Sequence, residues 1–249
     1  MLHCRRSQTA ATVRAKLNQE NSVRETSFLA VLKPVGNVER VTIMRLIRFG
    51  PAAFILFVSA SSLAQSWMTY ESRVDRFSVN FRGEPKVQEI TWPSEYGVVF
   101  PGRVYAQQDD TGRYSVTVID YTDAERMHAE QPKPESFRQA IYAQIDVMAS
   151  IAYAATKYRQ REGVKVTYDA WHYIDLVEGH QLQLTNADRS RTFVGIYLHE
   201  NRLYILEATV PTSAAPPGLF QQSLSFLDEK GNRVRYDSIY SNRLPPTRR

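Results

Sequence analysis

Three histidines in the second half of the chain have the clearest potential for chemistry: His172, His180 and His199. Asp175 and Glu178 lie between the first two, and imidazoles with carboxylates are ligands of zinc and copper sites. The spacing matches no established ligand motif. We therefore expect packed or solvated histidines that share no metal ion, with His172 on an apolar strand face, His180 at a strand start and His199 beside a solvent-facing turn.

The other reactive residue types give equally weak signals. His128 lies in a polar stretch without a ligand pattern, and the acidic pairs at 109–110 and 228–229 lie in segments of turn composition. The sequence has no G-x-S-x-G, H-E-x-x-H, P-loop or G-x-G-x-x-G pattern. It therefore predicts no catalytic residue, no cofactor and no metal. Some strand tyrosines could form a binding platform, although sheet packing is the commoner reason for them: Tyr105, Tyr114, Tyr168 and Tyr204.

The distribution of charge argues against a nucleic-acid partner. The whole chain has 31 Lys and Arg against 26 Asp and Glu, a formal charge of +5. Residues 1–64 contain nine Lys and Arg and three Asp and Glu. Residues 65–249 therefore contain 22 Lys and Arg and 23 Asp and Glu, a net charge of −1. A nearly neutral segment lacks the basic surface that binds phosphate backbones. The one cysteine, Cys4, is also in the first part, so residues 65–249 can form no disulfide.

Residues 44–64 have the features of a secretory signal peptide. Two arginines precede an apolar block, and Ser62 and Ala64 occupy the −3 and −1 positions of a cleavage site before Gln65. The alternative is a transmembrane anchor, but residues 49–64 give only 16 positions, fewer than the roughly 20 that a bilayer needs. The pattern predicts export to the periplasm or the medium, with no stable membrane span after cleavage.

Residues 1–43 precede this signal and are rich in Arg, Ser, Thr and Asn, without sustained periodicity. Signal peptides normally begin at the initiator methionine, which predicts a translation start at Met44. The earlier residues are then an artefact of an upstream start. An organelle transit peptide, which shares the Arg and Ser bias, is the alternative. Both interpretations predict disorder for residues 1–43.

Residues 65–249 are predicted to form a single α+β domain, an antiparallel sheet covered by one long helix and one short C-terminal helix. Alternating apolar residues and turn residues predict strands at 67–72, 76–81, 86–91, 96–100, 103–107, 113–121, 166–174, 180–185, 191–199, 202–210 and 232–236. Pro101-Gly102 should interrupt the strands, and residues 122–134 should form a loop. Glu200-Asn201 should make a two-residue turn, and residues 219–227 the short helix.

The long helix is predicted from residue 135 to about residue 159, with Pro132 and Pro134 before its first turn. Apolar residues at helical spacing predict the stripe that faces the sheet: Phe137, Ile141, Ile145, Met148, Ala152 and Ala155. On this basis the replacement of Ile145 by Asp should unfold the domain. The replacement of Asp146 by Ser should change little, because Asp146 lies off the stripe.

Short structural motifs give the chain a resemblance to a known fold. They are Trp67 and Tyr70 followed by Phe-Ser-Val-Asn-Phe at 77–81 and Gly-Glu-Pro at 83–85, Asn-Arg-Leu-Tyr at 201–204, and the Phe220, Ser223 and Phe226 spacing. This pattern resembles exported domains with the PsbP-like α/β/α sandwich, which extrinsic photosystem II proteins share with many bacterial secreted proteins of unknown function. The resemblance implies this fold for residues 65–249 and no shared catalytic residue.

The export signal, the lack of catalytic motifs and the resemblance predict a non-catalytic periplasmic binding or accessory module. Its partner would be an envelope protein or a small ligand. The alternative is an enzyme or a metal-binding protein with an unrecognised site of histidine and carboxylate. A cleft that gathers His172, His180 and a carboxylate would favour the alternative, whereas a flat or grooved aromatic surface would favour the binding module.

Overall fold

A computed structural model describes residues 66–131 and 139–242, and for residues 139 and 140 only the backbone. Several sequence predictions lie outside these residues: the segment 1–43, the signal peptide at 44–64, and the start of the long helix with Pro132, Pro134 and Phe137. These remain predictions. No helix among the described residues is long and apolar enough to cross a membrane.

The described residues contain ten strands and three helices. In chain order these are β1 (Met68–Ser72), β2 (Phe77–Phe81), β3 (Lys86–Pro93), β4 (Val99–Asp109), β5 (Gly112–Asp120), α1 (Ala124–Ala129), α2 (Gln139–Arg159), β6 (Lys165–Ile174), β7 (Val177–Thr185), β8 (Arg191–His199), β9 (Arg202–Val210), α3 (Gly218–Gln221) and β10 (Ser225–Phe226).

The strands form two antiparallel sheets. The larger sheet has seven strands in the order β3-β4-β5-β9-β8-β7-β6, and the smaller one has the order β1-β2-β10. Tight turns connect neighbouring strands of the large sheet. Glu200-Asn201 makes the predicted two-residue turn between β8 and β9, and both of its residues have positive φ angles, 48° and 56°. The predicted α+β class, with an antiparallel sheet and few helices, is confirmed.

The large sheet buries an apolar core on each face. We call the face under α1 and α2 the helix face. Its core includes Ile119, Leu182, Val194, Ile196 and Ile205. The small sheet and residues 218–240 cover the opposite face, whose core includes Val116, Tyr197, Tyr204, Phe220 and Phe226. Because β8 is covered on both faces, its residues are apolar almost without interruption, and all but the first are buried.

The buried carboxylate of Asp75 links the small sheet to the large one. Asp75, in the turn between β1 and β2, is only 2% exposed. Arg103 donates two hydrogen bonds to its carboxylate at 2.8 and 2.5 Å, and the Tyr105 hydroxyl donates a third at 2.6 Å. Burial and this bond raise the pKa of Tyr105 to about 12. The Tyr204 hydroxyl donates to the Asp75 carbonyl at 2.8 Å, so strands β4 and β9 both hold this turn.

Pro101-Gly102 does not end a strand, contrary to the prediction. Strand β4 continues through both residues, with Pro101 opposite Thr91 of β3. On the other side of β4, pairing with β5 begins only at Gly102, opposite Ile119. The proline therefore lies just beyond the β5 pairing, where its missing N–H removes no bond of that ladder.

Two helix predictions also need correction. Residues 124–129 of the predicted loop form α1. The predicted C-terminal helix ends at Gln221, because Ser225 and Phe226 pair with β2 instead. In place of the predicted strand at 232–236 the chain makes isolated bridges, one of Arg233 with Leu227 and another at Tyr236.

The predicted buried stripe of α2 is wrong for most of its length. Ile141, Ile145 and Met148 are 44%, 40% and 43% exposed, whereas Asp146 is 1% exposed. Ala155 is the one described stripe member that is buried. The helix packs on the sheet through its other side, which includes Ala143, Val147, Ser150, Ala154 and Tyr158. Small side chains there let the helix backbone lie close to the sheet.

The end of α2 is held by a second carboxylate, which is half-buried. Glu207 of β9 accepts two hydrogen bonds from Arg161, both at 3.0 Å, and one from the Tyr158 hydroxyl at 2.7 Å. Burial opposes ionisation of Glu207, but the bonds from Arg161 and Tyr158 outweigh it and lower the pKa of Glu207. This bidentate pair fixes where α2 ends on the helix face.

Candidate functional site

The three predicted histidines do not come together. His172 lies opposite Gly179 in the β6–β7 ladder and His180 lies opposite Trp171. Directly opposed residues share a face of a sheet, so His172 and His180 point to opposite faces. His199 lies two residues after Tyr197, which faces Gly179, and therefore shares the face of His172. Among residues 66–131 and 139–242, no group of three or more His, Cys, Asp or Glu residues could hold a metal ion.

His180 belongs to a polar cluster on the helix face. Its Nε2 contacts Asp169 Oδ1 and lies 3.0 Å from Arg159 Nη2. Arg159 also binds the Asp169 carboxylate with two hydrogen bonds, at 2.7 and 2.9 Å. These bonds hold the pKa of Asp169 at about 2. Asp169 therefore stays ionised as a partner of Arg159, and it pairs the end of α2 with strand β6.

His172 is packed by a neighbouring tyrosine, as expected for a histidine on an apolar strand face. The Tyr197 ring lies close to two glycines. A Cβ at Gly179 would be 2.2 Å from the ring and a Cβ at Gly195 would be 3.0 Å from it, so the ring occupies space that a larger residue would need. The Tyr197 hydroxyl then reaches Nδ1 of His172 at 2.9 Å. Burial lowers the pKa of His172 and raises that of Tyr197, so both side chains stay neutral near pH 7.

His199 and His128 are more buried than the sequence suggested. His199 is 1% exposed rather than solvated beside its turn: it stacks on Phe226 with ring centroids 4.3 Å apart, and its Nε2 lies 2.6 Å from the Tyr236 hydroxyl. His128 is in α1 rather than in a loop, and its side chain is fully buried. Both imidazoles are therefore packed in the interior.

His128 contributes to a buried polar group beneath α2, which we call the Asp146 cluster. Ser94 Oγ donates to Asp146 Oδ2 at 2.5 Å, and His128 Nε2 lies 3.0 Å from the same oxygen. All three residues are at most 5% exposed. The Tyr121 hydroxyl and Trp92 Nε1 are also buried, beside the core of the helix face.

The residue types of the Asp146 cluster are those of a serine hydrolase, but their connections differ. Nucleophilic catalysis needs the serine hydroxyl to donate to the histidine, which the carboxylate then orients. Here Ser94 and His128 both bind the carboxylate of Asp146. Because Ser94 and His128 both contact one carboxylate oxygen and none of the three residues is more than 5% exposed, the cluster joins α1, α2 and the residue after β3.

A cavity of about 530 Å³ opens between α1 and α2. Its apolar wall includes Ala124, Ala143, Val147 and Met148, and its polar wall includes Thr122, Gln144, Asn201 and Asn242. Arg126 also lines it and is paired with Asp123 and Glu130. The volume lies within the range of small-molecule sites, roughly 300–1,000 Å³. Apart from the exposed Glu125, the charges of the lining are paired, and the several amides suit a neutral ligand that has one apolar side.

Strand β6 forms an exposed edge of the large sheet. In the described part of the chain it pairs only with β7. Its side chains include three exposed aromatics, Tyr168, Trp171 and Tyr173, of which Trp171 is 64% exposed. A bulge lies between Val166 and Tyr168, and from there to Ile174 the only charged residue is Asp169. We call the outer side of residues 168–174 the β6 edge.

Some residues of these surfaces can be identified from the sequence. Tyr168 was among the tyrosines that could form a platform, whereas Tyr105, Tyr114 and Tyr204 are buried in the core. Trp171 and Tyr173 alternate along a predicted strand, so their shared face could have been identified, although not its exposure. The cavity and the Asp146 cluster join residues from distant parts of the chain, which no local pattern reveals.

No protein-family model and no curated protein sequence matches the chain. The solved structures that are similar to it include the following two. One is a cyanobacterial PsbP, CyanoP from Synechocystis, with 8% identity over 63% of this chain and 86% of that chain and a TM-score of 0.32. The other is a protein of unknown function from Pseudomonas aeruginosa, with 9% identity over 61% of this chain and 88% of that chain and a TM-score of 0.26. The first of these has the PsbP-like fold that the sequence resembles.

Proposed function

We propose that the protein is an exported, non-catalytic accessory module that binds an extended segment of another envelope protein along the β6 edge. The observation that carries the proposal is a long edge strand with three exposed aromatic side chains and almost no charge. Natural proteins usually protect such edges with charges, prolines or a covering element. The exposed aromatics therefore favour a role in binding.

The chemistry of the β6 edge defines the kind of partner. An edge strand offers unpaired backbone N–H and C=O groups, which an extended peptide can pair with as an added strand. Trp171 and Tyr173 lie on the helix face of β6 and Tyr168 on the other. Alternate side chains of the added strand would contact one or the other set. We expect an uncharged segment with apolar residues at alternate positions.

The test compares the purified protein with a Trp171→Ala, Tyr173→Ala double variant. Each is used to capture proteins from the native envelope, and a Tyr96→Ala variant is the control, because Tyr96 is also a partly exposed aromatic residue. We expect one partner to be retained by the parent and the control and lost by the double variant. Hydrogen exchange of the backbone amides at 168–174 should slow when that partner is added. Equal capture by all three proteins, or unchanged exchange, would contradict the proposal.

The cavity between α1 and α2 favours a second candidate, a small neutral ligand. Native mass spectrometry of the protein purified from its own envelope would detect such a molecule as added mass. Substitution of Gln144 by Trp, at an exposed position of the cavity lining, should block the cavity and abolish the added mass, while capture of the envelope protein stays unchanged. Added mass that survives this substitution would exclude the cavity as the site.

A further inference from the structure

From the outer side of α2 we infer that two copies of this chain associate through antiparallel packing of their α2 helices. The contact is made by Ile141, Ile145, Met148 and Ala152, which we call the outer stripe. At 3.6 residues per turn these four residues fall within an arc of about 60° on the side away from the sheet. The first three expose 40% or more of their surface, an unusual amount for consecutive apolar positions of a surface helix.

The charge of α2 fits an interface. From Gln139 to Thr156 the only charged residue is Asp146, and it is buried. Exposed helix faces normally carry charged residues, whereas the centre of a protein interface is depleted of them and enriched in methionine and aromatic residues. The outer stripe thus has the composition of an interface centre along 18 residues of helix.

The spacing of the outer stripe makes it complementary to itself. Its steps are four, three and four residues, so it reads the same in both directions. When two such helices run antiparallel about a two-fold axis between residues 146 and 147, Ile145 faces Met148 of the other copy, and Ile141 faces Ala152. Each large residue at the ends meets a small one, which is how facing helices interdigitate. A two-fold axis requires such a self-complementary patch.

Electrostatics also favours a second copy in this orientation. Packing identical faces brings identical charges together, and the outer stripe has none. Antiparallel helices place the positive N-terminal end of one macrodipole beside the negative C-terminal end of the other. Ala149 and Thr156, close to the stripe, are small enough for the two backbones to approach to about 8–10 Å.

The first experiment measures self-association by sedimentation velocity of the full chain, purified in the form to which the cell processes it. We expect a dimer at micromolar concentration. Ile145→Glu should weaken dimerisation about a hundredfold or more, because two carboxylates would be desolvated near the axis. Val87→Glu makes the same kind of change at an exposed apolar residue of β3 and should leave the dimer intact. A monomeric parent, or equal effects of the two variants, would overturn the proposal.

Because Ile145 is partly exposed, its variant should fold, and circular dichroism checks this; if it does not, Met148→Glu gives the same test. Trp171→Ala should not affect the dimer, so failure of this proposal can be told apart from failure of the proposed β6-edge binding.

The second experiment tests the antiparallel register with introduced cysteines. The double variant Ile141→Cys, Ala152→Cys should form intermolecular disulfides under mild oxidation, since these positions face each other. Ala152→Cys alone should not, because the two copies of residue 152 would be about 16 Å apart along the helices, too far for a disulfide. The parent, whose one cysteine is Cys4, is the baseline. Equally fast cross-linking by the single variant would refute the register.

Discussion

Replacement of Asp146 by Ala should strongly destabilise the protein, the reverse of what the spacing of α2 suggests. The carboxylate accepts a hydrogen bond from Ser94 and contacts His128, and all three side chains are buried. Without it, the serine hydroxyl and the imidazole lose their charged partner in a place that solvent does not reach. Each buried polar group left unsatisfied costs about 1–3 kcal/mol.

The expected loss from these two groups is therefore about 2–6 kcal/mol of the free energy of unfolding, from a total that for domains of this size is about 5–15 kcal/mol. Urea denaturation followed by circular dichroism measures it. The control is Gln144→Ala, two positions earlier on an exposed part of α2, which should change stability by about 0.5 kcal/mol or less. If the alanine variant of Asp146 does not fold, Asp146→Asn keeps the shape and one acceptor and should lose less.

A double-mutant cycle makes the reasoning sharper. If Ser94 acts through Asp146, the losses from Ser94→Ala and Asp146→Ala should not add, and the coupling should be about 0.5–3 kcal/mol. Additive losses would show that the hydrogen bond contributes nothing. A loss below about 1 kcal/mol for Asp146→Ala would refute the idea that the Asp146 cluster joins α1 and α2.

Three further predictions concern other parts of the chain. Gly179→Ala should displace the Tyr197 ring and lower the free energy of unfolding by about 1–3 kcal/mol. Near-ultraviolet circular dichroism reports the ring and urea unfolding the stability. The control Gly218→Ala should have a small effect, because a Cβ there meets nothing within 4 Å. The pKa of Asp169 is held at about 2, below the ordinary value of 3.8 for aspartate. The contribution of Asp169 to stability is therefore complete above pH 3.8 and is lost as the pH falls through about 2. Carboxyl ¹³C NMR should find a midpoint near 2, and a midpoint near 3.8 would contradict this. Intact-mass analysis of exported protein should give a chain that begins at Gln65, and retention of residues 49–64 would instead support an anchor.

Local patterns were sufficient for most of the sheet. Period-two alternation identified β2 and β5, because each has side chains that pack against a core, and hairpin spacing identified β8 and β9. Turn residues marked Glu200-Asn201 correctly. The same reasoning missed the turn at Asp175-Leu176, whose positive φ angles of 49° and 65° are unusual for leucine. There the register of β6 with β7 determines the turn, and a local sequence cannot reveal it.

The orientation of α2 shows why helical periodicity alone was not enough. The helix has apolar residues on two opposite sides, and it lacks the exposed charges that normally mark the solvent side. Its only acid before Lys157 is buried, since Ser94 and His128 from distant segments provide partners for it. Two small-residue positions on the inner side, Ala143 and Ala154, allow close packing on the sheet. Both features depend on tertiary contacts, so the sequence pattern predicts the wrong side of α2 to be buried.

The low net charge of residues 65–249 bears on how the outer stripe behaves. A net charge of −1 gives two copies almost no long-range repulsion, and the stripe itself has no charged side chain. Association through α2 should therefore depend on apolar contact and respond little to screening. The dissociation constant should change by less than about threefold between 50 and 500 mM NaCl, where the Debye length falls from roughly 14 to 4 Å. Sedimentation velocity at both concentrations measures this. A tenfold change would show that charged residues outside the outer stripe, such as Arg159 or Glu125 of α1, make the contact instead.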